Sequence, residues 1–212
     1  MQLQEVLEST GTCRFYRTDA VPDDVLARVL DAARYAPSGG NRQPVRLIAV
    51  RDALKKRQLK NWYLPIWQSY MARVAPDGIE RSPRARLLQR ADHFAQHLDE
   101  IPVLLVVCAV LADLLPTDRD LGRLSIVGGA SVYPALQNIL LKAREEGLGT
   151  ALTTLLCAIE PQVKELLRIP DGIATAATVA LGYPAKPFPK RLQRRPLEET
   201  AFVDEFGRAL VS

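Results

Sequence analysis

The chain has 212 residues, 48% of them apolar and 25% charged, with a formal charge of +4. That is enough for a full core, read here as one domain, 1–212, with a helical insertion at about 55–100. No apolar run nears the roughly 18 residues that span a bilayer. Three cysteines show no metal or redox spacing, two histidines offer too little ligand chemistry for a zinc site, and the first residues lack a secretion signal's pattern, so a cytoplasmic protein without metal is expected.

Arg14 and Arg17 lie just upstream of Pro22, Asp23 and Asp24. Proline and two acids, followed by Val25, Leu26, Val29, Leu30 and Ala33, predict a helix running to about Tyr35. The two arginines are placed either to hold a phosphate or to serve as surface charges.

Ala36 to Pro44 is the least generic stretch. Two prolines bracket it, so neither flanking element runs through. Gly39 and Gly40 allow positive φ or a close approach, and Ser38, Asn41 and Gln43 offer groups that both donate and accept hydrogen bonds. That inventory suits the edge of a flat heteroaromatic ligand, or an ordinary helix-to-strand turn.

Residues 45–51 read as a buried strand. Between Asp52 and Glu100 two helices are expected, broken at Pro76-Asp77-Gly78. The cluster Trp62, Tyr63 and Trp67 either covers a site or packs against the core. His93 and His97, spaced i, i+4, read as packing or solvated residues rather than zinc ligands.

Pro102 opens a strand, Val103 to Val110, apolar on both faces and so central in its sheet. Gly128 to Glu146 predicts a long buried helix ended by Gly147. A turn at Leu148-Gly149-Thr150 leads to a short extended segment through Leu155. Glu160 to Arg168 is a helix, and Ala174 to Leu181 another buried strand. A Pro- and Arg-rich arm follows, Pro187 to Pro196, kept extended by its prolines. Basic residues crowd only at 81–90 and 186–195, without aromatic interleaving, so no nucleic-acid partner is expected, although the arm keeps that class open.

In order, these motifs resemble the nitroreductase-like family of flavin enzymes. The resemblance rests on the Val21-Pro22 helix, Ala36 to Pro44, Gly147-Leu148-Gly149-Thr150, Leu181-Gly182-Tyr183-Pro184 and the tail Arg194-Arg195-Pro196-Leu197-Glu198-Glu199. It implies an α+β sandwich, a central mostly antiparallel sheet flanked by helices, in an intertwined homodimer. It also implies FMN across the subunit interface and NAD(P)H as reductant. On that basis Pro37, Ser38, Gly39, Asn41 and Gln43 hold the ring edge, and Leu152, Thr153 and Thr154 run beside the ring. Arg14 or Arg17 and Arg194 or Arg195 hold the phosphate, and Arg42 or Arg17 supports the pyrimidine. Trp62 and Trp67 form a substrate cover. No side chain need act as acid or base, because the flavin carries the chemistry.

The implied activity is hydride transfer to a nitroaromatic, quinone or enone by a ping-pong mechanism. Dehalogenation, flavin destruction, dehydrogenation and flavin storage without turnover are the alternatives. The chain departs from the family in the region of Gly11, where many members carry an arginine and this chain has none, and at Val45, where an aromatic residue is common.

Overall fold

The computed structural model describes residues 1–82 and 84–210. Its helices are α1 (Leu3–Ser9), α2 (Asp23–Asp31), α3 (Ala53–Val74), α4 (Ala85–Gln96), α5 (Tyr133–Glu145) and α6 (Glu160–Leu167). Its strands are β1 (Val45–Val50), β2 (Val103–Val110), β3 (Gly149–Thr153) and β4 (Ile173–Gly182), in one antiparallel sheet of order β1-β2-β4-β3.

β2 holds the molecule together. Successive side chains of a strand point to opposite faces, and both faces of this one are apolar. Val103, Leu105, Val107 and Ala109 pack with Leu26 and Val29 of α2 and Leu136 and Ile139 of α5. Leu104, Val106 and Cys108 pack on the other side with Leu59 and Tyr63 of α3, Phe94 of α4 and Val163 of α6. Helices therefore cover both faces, and the strand order puts β2 and β4 inside with β1 and β3 as the edges.

Several boundaries differ from expectation. The first strand is an edge strand, not a buried one: Arg46 is exposed and only Val50 is fully buried, because nothing pairs beyond it among the described residues. The helix after Pro22 is α-helical only to Asp31, then tightens into a 3₁₀ turn, Ala32–Tyr35. Gly149 and Thr150 belong to β3 rather than to a turn.

The segment before α2 is tied to the end of the sheet. Thr12 bridges Thr150 in parallel and Tyr16 bridges Pro184. The Cys13 N–H donates to the Thr150 carbonyl at 2.8 Å, and the Arg17 N–H to that of Tyr183 at 2.9 Å. Gly149 makes this approach possible, since a Cβ there would lie 2.6 Å from the Cys13 sulfur. Arg14 is thereby held beside β3.

The segment between Asp52 and Glu100 forms two helices, α3 and α4, as its pattern predicts. Asp52 caps α3 by accepting the Lys55 N–H at 2.8 Å, one of the donors a helix start leaves unpaired. Leu59, Tyr63, Trp67 and Met71 recur at helical spacing and are buried. The arm 187–196 contains no helix or strand, and its Leu192 N–H donates to the Glu8 carbonyl at 2.7 Å. No helix among the described residues is long and apolar enough to cross a membrane.

Candidate functional site

The loop from Ala36 to Pro44 is conformationally strained. Gly40, Asn41 and Gln43 have φ of 59°, 54° and 50°, a left-handed region that costs a side-chain-bearing residue about 1–2 kcal/mol. Local hydrogen bonds hold it there. The Gln43 N–H donates to Ser38 Oγ at 3.0 Å, and the Gly39 N–H to Ser131 Oγ at 3.1 Å. Gln43 Nε2 donates to Asn41 Oδ1 at 3.2 Å. Such strain gathers where a constellation must be aimed, and both amide side chains are exposed. Ser38, Arg42 and Gln43 open on a hollow of about 420 Å³ that Ser131 also lines.

A second hollow, of about 330 Å³, lies at the other edge of the sheet. Thr12, Arg14, Leu152, Thr153, Thr154 and Trp67 contribute to its wall. Tyr63 and Tyr70 add aromatic faces, and the Tyr63 hydroxyl lies 3.3 Å from Thr153 Oγ1, joining α3 to β3. Burial, then the neighbouring Arg90 guanidinium, lower the Arg14 pKa, yet arginine stays charged. A cation, backbone groups at a strand end and aromatic walls suit a planar ligand with an anionic or electron-rich edge.

These two sets do not meet in one chain. The loop leads into β1, whereas Leu152 and Thr153 lie on β3 at the opposite edge. Three inter-strand spacings separate those edges, roughly 14 Å.

The remaining predicted residues fall as follows. Pro37 and Gly39 line a shallow hollow with Ser131. Arg17 is engaged by Asp19 at 2.6 Å. Arg194 donates to the Gln193 carbonyl at 2.8 Å and Arg195 lies 3.6 Å from Glu199, both away from the residues lining either hollow. Trp67 is 7% exposed and lines the hollow beside Arg14, while Trp62 packs against the core behind it. His93 stacks on Phe15 at 4.5 Å and on His97 at 4.1 Å. The sequence reading missed Thr12, Tyr70, Arg90 and Ser131. Ser131 had a signal, lying in the Gly128–Ser131 run before α5, and Arg90 ends the basic crowding at 81–90, although nothing local tied that charge to the site.

Known proteins share this fold. The nitroreductase family model matches residues 7–183. An NADH dehydrogenase of Thermus thermophilus is 30% identical over 186 residues, 82% of each chain. The NADPH:FMN oxidoreductase of Vibrio harveyi, solved with NAD⁺, superposes with a TM-score of 0.69 at 19% identity, over 96% of this chain and 77% of that one. Oxidised iodotyrosine deiodinase, bound to FMN and 3-iodo-L-tyrosine, does so with a TM-score of 0.68 at 22% identity, over 92% and 96%. With the family's model spanning the fold from α1 to the end of β4, this chain belongs to the nitroreductase family.

Proposed function

We propose that this protein is a homodimeric FMN-dependent NAD(P)H oxidoreductase. The carrying observation is the donor set divided between opposite sheet edges. A second copy that turned its Ser38–Gln43 loop toward the Arg14 hollow would complete a flavin site neither chain forms alone. Exposed apolar side chains favour such pairing: Leu121, Leu124 and Ile126 are 64%, 89% and 77% exposed, and Phe206 of the tail 94%. Apolar surface left open on one copy marks an interaction face.

The residues fit the flavin chemically. Tyr63, Trp67 and Tyr70 line a hollow wide enough for a planar ring, with Arg14 as its cation. Asn41 and Gln43 supply amides for the ring edge, and the Thr154 N–H a donor beside it. Arg42 lines the loop's own hollow and would support the pyrimidine, a role for which Arg17, held by Asp19, is less suited. Arg14 would meet the phosphate, whereas Arg194 and Arg195 of the arm lie outside the residues lining its hollow. When bound, FMN supplies the redox step, taking hydride from NAD(P)H and passing it, ping-pong fashion, to an electron-poor acceptor such as a nitroaromatic, quinone or enone. The chain itself positions the ring, offers cations to its anionic groups and, through α3 and α4, shields the hollow from water.

The likeness to iodotyrosine deiodinase favours a second reading, reductive dehalogenation on the same flavin. Anaerobic titration of the purified protein with NADH and NADPH is the direct test of the first. Bleaching of the flavin band by either, then re-oxidation by a nitroaromatic or quinone, is expected. A protein that binds no flavin, or whose flavin neither reductant bleaches, overturns it. Turnover of 3-iodotyrosine without turnover of the other acceptors would select the second reading.

A further inference from the structure

Gly11 offers no side chain, and the arm crowds its position. A Cβ there would lie 3.1 Å from Pro189 Cγ and 3.2 Å from Leu192 Cδ2, so the arm fills that space. Alongside lies a hollow of about 390 Å³, walled partly by Thr12, Phe15 and the arm. Three cations enter it: Arg14, Arg90 from α4, and Lys186, whose Nζ sits 3.6 Å from the centre of the Phe15 ring. No aspartate or glutamate among the described residues lines it. None of the three cations forms an ion pair among those residues.

Like charges gathered without an acid repel one another, and an incoming anion would relieve that repulsion. The hollow shares Thr12 and Arg14 with the aromatic-walled one. A ligand whose ring lay against Leu152–Thr154 would thus pass Arg14 and end its tail among these cations.

We propose that Arg90 and Lys186 bind the phosphate monoester of the flavin beside Arg14, in a hollow that holds no acid among the described residues. This rests on the flavin reading above. A phosphate monoester carries about −1.5 to −2 charges at neutral pH and presents three strong acceptor oxygens, which guanidinium and ammonium groups satisfy with charge-assisted hydrogen bonds. Arg90 also lies two residues before Asp92, the partner of Trp67. Phosphate binding would therefore fasten the inserted helices to the cofactor.

The test is titration of the full-length apoprotein with FMN and with riboflavin, read by flavin fluorescence. The wild type is expected to prefer FMN. Arg90→Gln and Lys186→Gln are each expected to weaken FMN about tenfold and to leave riboflavin unchanged. An unchanged FMN-to-riboflavin ratio in both variants, or equal losses for both ligands, would overturn the assignment while the flavin reading stood. Wild-type protein that bound neither ligand would end both.

Discussion

The indole N–H of Trp67 donates to Oδ1 of Asp92 at 2.8 Å, joining α3 to α4 across a buried face. Removing the acceptor strands a buried donor. Asp92→Ala is therefore expected to cost about 1–3 kcal/mol, seen as a lower urea midpoint, and Asp92→Asn, which keeps an acceptor, less.

Trp67 also lines the Arg14 hollow. If it covers substrate, Trp67→Phe should change the acceptor KM several-fold while flavin affinity holds, since the ring's bulk is largely kept. Equal KM values and acceptor preferences in the two proteins would reduce Trp67 to a core residue.

Gln43 is held at φ 50° immediately before Pro44. Gln43→Gly should relieve about 1 kcal/mol of backbone strain and raise, or at least preserve, the thermal midpoint. The same change removes a ring-edge amide, so flavin affinity should fall. Stability and binding moving together, both down, would show that the strain serves packing alone.

Glu146 accepts from Arg28 at 2.9 Å and Lys142 at 2.8 Å. Hydrogen bonds from Arg28, then Lys142, hold its pKa down to about 2, from an ordinary 4.5. Because the folded pKa is the lower one, the unfolded chain takes up the proton first. The stabilisation is complete above about pH 4.5 and fades as pH falls toward 2. Glu146→Gln should flatten this acid limb and cost about 1 kcal/mol at neutral pH, the scale of a screened surface network. Denaturant melts at stepped pH will show it.

Leu124 is 89% exposed in a single copy. If it meets a second copy, Leu124→Glu should shift the protein from dimer to monomer by light scattering and release flavin at the same time. A dimer that persists with its flavin would remove the 121–126 segment from the interface.

The central strand was legible in the sequence because burial on both faces leaves a continuous apolar run, Val103 to Val110. The helix ended by Gly147, though it begins at Tyr133 and not Gly128, the arm and the two helices between Asp52 and Glu100 were legible for similarly local reasons: period, proline and caps. The loop's chemistry was legible too, since Ser38, Asn41 and Gln43 lie within six residues of one another. What only the tertiary structure decided is distance. Pairing order sends the loop and Leu152–Thr154 to opposite sheet edges, and packing of α4 beside the amino-terminal segment brings Arg90 into the hollow of Arg14. Neither relation has a local signature, because side chains some 76 residues apart become neighbours only when apolar burial folds the chain between them.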